Sequence, residues 1–136
     1  MTANAELVRR AYETWNRRDL SALEEFLAPD IEIDASERIL NPDFYRGWEG
    51  FLRWMEELGE VWEVWEMKPE EILEAGDRVF AAVRARARGR GSGVELNESA
   101  INVWTVRDRK VVRIAFFYDR GKALESAGVE ETEPAG

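Results

Sequence analysis

Apolar and polar positions repeat along this chain with two different periods. Near the start, Leu7, Val8, Ala11, Tyr12 and Trp15 fall on one face at helical spacing, and Glu6, Arg9, Arg10, Glu13 and Arg17 take the other. The pattern predicts a helix over 4–18 with Asn4 as its N-cap. Asp19 is placed to cap a second helix whose apolar positions are Leu20, Leu23, Phe26 and Leu27, with Pro29 just past its end. Ile31 to Asp34 alternates and reads as a short strand. The stretch 35–45 has no clear period, contains Pro42, and reads as a loop. Trp48, Phe51, Leu52, Met55 and Leu58 then form the stripe of a third helix over 47–62.

From there the period falls to two. A strand is expected over 65–75, with Pro69 marking an edge or a bulge and Gly76-Asp77 a turn. Val79 to Arg88 alternates strictly: Val79, Ala81, Val83, Ala85 and Ala87 share one face, and Arg84, Arg86 and Arg88 the other. A Gly-rich loop over 89–93 leads into a strand over 94–106, and the charged turn Arg107-Asp108-Arg109-Lys110 leads into the last strand, 110–119. Lys122, Ala123, Leu124 and Glu125 favour a short closing helix that ends at Gly128. Helices gathered early and hairpin strands gathered late imply an α+β fold. One domain is expected over 1–129, followed by a disordered acidic tail over 130–136.

Composition narrows the chemistry. The chain has 136 residues, 45% of them hydrophobic, enough for a single packed core. It has no Cys and no His, which excludes disulfides and thiolate chemistry and removes the usual acid–base group near neutral pH. A net charge of −9 argues against nucleic acid as a partner. No apolar run is long enough to span a membrane, and Met1 to Arg10 has no apolar signal core, so a cytoplasmic protein is expected. Six Trp in so short a chain point to rings that fill a core or line a pocket for an apolar or aromatic ligand.

Several stretches together resemble the SnoaL-like branch of the nuclear-transport-factor-2-like superfamily, which includes ketosteroid isomerase, polyketide cyclases and limonene epoxide hydrolase. They are Ala11-Tyr12-Glu13-Thr14-Trp15-Asn16-Arg17-Arg18-Asp19-Leu20, Phe26-Leu27-Ala28-Pro29-Asp30, Tyr45-Arg46-Gly47, Ala75-Gly76-Asp77-Arg78-Val79, Phe117-Tyr118-Asp119-Arg120 and Ala123-Leu124-Glu125. The resemblance covers roughly residues 4 to 129. It implies a cone-shaped (cystatin-like) fold, with three N-terminal helices packed on a curved, mostly antiparallel sheet and a short C-terminal helix. It also implies a homodimer and no metal or organic cofactor. Asp119 looks like the acid–base Asp that ends the last strand in cyclases and epoxide hydrolases. Asn102 matches the isomerase acid that donates a hydrogen bond to the oxyanion. The isomerase's first-helix tyrosine matches Ala11, one residue before Tyr12, and its general base falls near Ala35, beside Asp34. Arg84 or Arg86 would supply the Arg of an epoxide-hydrolase Asp-Arg-Asp set.

Strand parity groups Asp119 with Phe117, Ala115 and Arg113, and groups Glu98, Ala100, Asn102 and Trp104 on the neighbouring strand. If both sets face the cone, the pocket holds Asp119 and Asn102 as catalytic candidates. Tyr12, Trp15, Trp48, Trp104, Ala100, Phe117 and Ala115 would then be ligand-binding walls. The competing roles are an N-cap for Asp119 and a satisfied buried amide for Asn102. The run Arg84, Arg86, Arg88 and Arg90 reads either as a site for an anionic ligand or, more in keeping with such ladders, as a solvated face paired with Glu95 and Glu98. Ile101, Val103, Val112, Ile114, Phe116 and Tyr118 would form an apolar face without a covering helix, hence a dimer interface through the sheet. Two functions remain open. One is a cofactor-independent isomerase, aldol cyclase or hydrolase working through Asp119. The other is a binding or dimerisation module without turnover.

Overall fold

The computed structural model describes residues 3–36 and 43–129. The first apolar stripe forms α1 (Ala3–Asn16), which buries Val8, Ala11, Tyr12 and Trp15. Its first turn is capped from far along the chain, because the Glu74 carboxylate accepts from the Ala5 N–H at 2.8 Å. Asn4, expected as the cap, donates instead to the Gly76 carbonyl at 3.2 Å. Asp19 does cap α2 (Leu20–Glu24), accepting from the Ala22 N–H at 3.1 Å. That helix is one turn long, and by Leu27 the chain is already extended in β1 (Leu27–Asp34). Pro29 therefore lies inside a strand. The pairing of β1 shifts register between Leu27 and Glu32, where a residue without an N–H is tolerated.

The end of the stretch read as a loop runs into β2 (Phe44–Arg46), three residues and too short to show alternation, paired antiparallel with β1. Next comes α3 (Gly47–Val61), whose buried stripe is Phe51, Trp54 and Leu58, with Leu52 left exposed. Then follow β3 (Trp62–Ala75), β4 (Arg78–Gly89), β5 (Glu95–Arg107), β6 (Lys110–Phe117) and α4 (Arg120–Ala127). The sheet order is β2-β1-β6-β5-β4-β3. Among the described residues only the β1–β6 pair is parallel. Pro69 satisfies both readings made for it: β3 is an edge strand, and its register shifts between Pro69 and Glu71. Pro42 and the expected tail, 130–136, lie outside the described residues.

The β5–β6 register overturns the expected faces. Counted evenly back from the turn, Ala115 would oppose Asn102 and Phe117 would oppose Ala100. Instead Val106 pairs with Val111 and Thr105 with Arg113, so Val112 is an extra residue on β6. One inserted residue flips every side chain beyond it to the other face. Asn102 consequently pairs with Phe116, and Trp104 with Ile114. Ile114 and Phe116, expected at a dimer interface, are 4% and 9% exposed within the main core beneath α1 and α3. Ala115 and Phe117 face the opposite way. That second face is not bare, because α4 folds back on it. Ala123, Leu124 and Ala127 pack against Phe80 and Val103, with Ile101 and Phe117 at the margin.

Candidate functional site

The concave face of the sheet and the helices α1 and α3 enclose an interior built almost wholly of rings. Trp15 of α1 meets Trp54 of α3 at 5.2 Å between centroids, and Trp54 meets Phe116 of β6 at 5.4 Å. Trp48 stacks on Phe51 at 5.1 Å and is only partly buried. The space left between Tyr12, Trp15, Trp54, Asn102 and Phe116 is a cavity of about 10 Å³, room for about one water. A second cavity of about 30 Å³ lies further toward the hairpin end, walled by Trp65, Ala85, Glu98, Ala100 and Tyr118. Met67, Asn102 and Phe116 line both.

One polar cluster sits in this apolar interior. Tyr12 and Asn102 are both 0% exposed. The Asn102 amide Nδ2 donates to the Tyr12 hydroxyl at 2.7 Å, and the Trp104 Nε1–H donates to the same oxygen at 2.8 Å. Helix periodicity points Tyr12 inward one turn before Trp15, and strand parity puts Asn102 and Trp104 side by side. Burial pushes the Tyr12 hydroxyl well above its ordinary pKa of 10.0, an effect the two bonds it accepts only partly oppose. The phenol is thus a neutral donor whose proton has no partner among the described residues. Asn102 Oδ1, Trp15 Nε1 and Trp54 Nε1 are also buried without hydrogen-bond partners. The interior accordingly offers donors from Tyr12, Trp15 and Trp54 and an acceptor from Asn102. Buried polar atoms left unmet in this way are unusual and call for an explanation such as a water or a ligand.

The other candidates stand elsewhere. Asp119 is exposed and lines neither cavity. Its Oδ1 accepts from the Lys122 N–H at 3.0 Å, making it the N-cap of α4, close to the cap role weighed for it beside the Ala123 N–H. Ala115 and Phe117 lie on the α4 face, although Phe117 reaches the rim of the second cavity. Ala100 lines that cavity and Trp104 the first, whereas Trp48 backs Phe51. Ala11 lines the first cavity beside Tyr12.

Asp34 is turned to the outer face, where Arg113 reaches it at 2.5 Å and Glu32 at 3.3 Å. Burial would raise the Asp34 pKa, but bonds from Ser36 and the Arg113 charge outweigh it and hold the carboxyl below its ordinary range. Arg84 and Arg88 pair with Glu70 and Glu63 of β3 rather than with β5. Glu98 lies on the concave face opposite Ala85, so the ladder expected between it and the arginines does not form.

Several lining residues stood outside the expected walls, among them Phe116 and Met67, and Trp54 was counted only among the six Trp. Trp54 was recoverable, since Phe51, Trp54 and Leu58 keep helical spacing. Phe116 was hidden by the Val112 bulge. Met67 had no signal of its own. Its backbone is fixed by Asn16, which donates Nδ2–H to the Met67 carbonyl at 2.8 Å and accepts from the Met67 N–H at 3.0 Å.

Comparison with known proteins places this geometry in context. The SnoaL-like domain family profile matches residues 8–114. A nuclear-transport-factor-2-like protein of unknown function from Burkholderia pseudomallei K96243 is 21% identical, with a TM-score of 0.77 over 93% of this chain and 98% of that one. TerC, co-crystallised with polyporic acid, is 21% identical, with a TM-score of 0.76 over 93% of this chain and 98% of its own. A protein of ketosteroid isomerase-like fold from Catenulispora acidiphila DSM 44928, solved with trimethylamine, is 16% identical, with a TM-score of 0.73 over 92% and 94% of the two chains. No curated protein matches the sequence.

Proposed function

This chain belongs to the SnoaL-like domain family, and we propose that its cone binds a small, flat, apolar ligand by an oxygen atom held at Tyr12 and Asn102. The observation that carries this reading is the fully buried Tyr12–Asn102–Trp104 cluster with its unmet polar atoms. A ligand hydroxyl answers both ends of the cluster, accepting from the Tyr12 O–H and donating to Asn102 Oδ1. With the amide turned over, Tyr12 donates to Asn102 and a ligand carbonyl accepts from the freed NH₂. The surrounding rings supply the apolar contact that orients an aromatic body. The ligands solved with TerC and with the Catenulispora protein support small-molecule use of this fold.

An enolate or phenolate oxygen at the same spot would be stabilised by these preorganised donors, which is the electrostatic half of isomerase or cyclase chemistry. The proton-transfer half finds no carboxylate lining the cavity beside the cluster among the described residues, and Asp119 is exposed and engaged as a cap. Binding without turnover is therefore the reading that the geometry favours. Titration of tryptophan fluorescence with 2-naphthol tests it. Saturable quenching is expected, weakened at least about tenfold in Tyr12→Phe, the loss of roughly one hydrogen bond to a buried group. Absence of saturable quenching would favour the second reading, a structural module with a filled cone, for which the about 10 Å³ cavity speaks.

A further inference from the structure

The two interior cavities share three walls, Met67, Asn102 and Phe116. Met67 is the soft one: it is unbranched, its sulfur accepts from the Asn102 amide at 3.7 Å, and its backbone is pinned by Asn16. Because Met67 walls both cavities, a turn of that side chain is what would join them. The joined space is chemically asymmetric. Its inner end is the neutral cluster of Tyr12 and Asn102. Its outer end carries Glu98, on the concave face of β5 four residues before Asn102. Four residues of strand separate the two by about 13 Å.

Glu98 is an exposed wall, at the mouth of this space. No ion pair or hydrogen bond engages it among the described residues, its cross-strand neighbour is Ala85, and the arginines of β4 point to the other face. Trp65 and Tyr118 line the same cavity. An unpaired carboxylate among aromatic rings is the chemistry that holds an ammonium group, by charge on one side and by ring faces on the other. Asn102, fully buried and with Oδ1 unmet, looks into the same space from the inner end.

We infer that the two cavities are halves of one elongated site, and that its ligand is a phenolic or enolic amine. The oxygen lies at Tyr12 and Asn102, the ammonium at Glu98, and Met67 turns aside between them. This rests on the proposed binding of an oxygen-bearing ligand in the cone and adds the charge and the length of that ligand.

Fluorescence titration of the full chain with three phenols separates the possibilities: tyramine, 4-ethylphenol and 3-(4-hydroxyphenyl)propionate, with 4-(4-aminobutyl)phenol as a longer amine. The amines are expected to bind about tenfold more tightly than 4-ethylphenol, and the propionate more weakly than either. That advantage should shrink as salt rises from about 0.05 M to about 0.5 M. In Glu98→Gln the Kd of tyramine should come within about threefold of that of 4-ethylphenol. Equal binding of tyramine and 4-ethylphenol by the unaltered protein would overturn the inference while leaving the oxygen anchor intact. Binding of neither at millimolar concentration would overturn the anchor as well. Tyramine binding that survives Tyr12→Phe but not Glu98→Gln would overturn the elongated site and leave only a cation contact.

Discussion

Asn102 and Tyr12 lie ninety positions apart in the chain, yet the amide of one donates to the hydroxyl of the other at 2.7 Å with both side chains fully buried. This contact joins the first helix to the middle of the sheet and is the polar centre of an otherwise apolar cone.

Its energetics follow from which atoms a substitution strands. Tyr12→Phe leaves the Asn102 and Trp104 donors buried without their acceptor and should cost about 1–3 kcal/mol. Asn102→Leu exchanges the amide for an apolar side chain of similar size. Combined with Tyr12→Phe, it should recover part of that loss, because fewer donors remain stranded. A double-mutant cycle by urea denaturation measures this. A Tyr12→Phe cost below about 0.5 kcal/mol would mean that the cluster contributes little to folding.

Two tyrosines should resist ionisation while the fold persists. Burial pushes Tyr12 far up, and burial together with the neighbouring Glu57 carboxylate pushes Tyr45 up to about 12. In the unfolded chain both titrate near ~10. Above that pH the unfolded state has released protons that the folded state still holds, so stability must fall as pH rises. Phenolate absorbance of the native protein should lack two chromophores until unfolding, and Tyr12→Phe should lessen the alkaline loss of stability. Ionisation of Tyr12 and Tyr45 near ~10 with the fold intact would refute the assignment.

Asp119 should behave as a cap. Asp119→Ala removes the acceptor for the Lys122 N–H and should cost about 0.5–2 kcal/mol, whereas Asp119→Asn should be nearly neutral. Thermal denaturation of both variants, with hydrogen exchange at Lys122, distinguishes this from a role in the cone. A loss of ligand binding in Asp119→Asn at unchanged stability would place the carboxylate in the site after all.

The β5–β6 turn holds a residue that its backbone does not suit. Asp108 and Arg109 both have positive φ, 51° and 62°, the signature of a two-residue type I′ hairpin in which Gly is favoured at the second position. Arg109→Gly should therefore stabilise the protein by up to about 1 kcal/mol. A lower denaturation midpoint would show that the Arg109 side chain contributes more than its backbone strain costs.

Much of this architecture is written locally. The 3.6-residue stripe through Val8, Ala11, Tyr12 and Trp15 and the strict alternation from Val79 to Ala87 each bury one face and fix their own element, so α1, α3 and the long strands are legible in order and nearly in extent. Glycine and aspartate punctuation at Asp19, Gly76 and Gly128 marks their ends, since capping and left-handed backbone are local demands. What the sequence alone leaves open is parity across a ladder. Val112 adds a single residue on β6, and that residue decides whether Ala115 and Phe117 or Ile114 and Phe116 look into the cone. A bulge is set by how two strands and the layers on either side pack, and nothing in the composition of Val111-Val112-Arg113 announces it. The same is true of α4, a short helix that covers the face expected to be bare. It is true as well of Asp119, whose carboxylate goes to the nearest unmet backbone N–H rather than across the barrier of burial into an apolar interior. The sequence by itself determined which residues are apolar and roughly where α1, α3 and the long strands run. Only the tertiary structure decided which of them meet, because meeting depends on register and on the competition for buried hydrogen bonds, and both are settled between elements rather than within them.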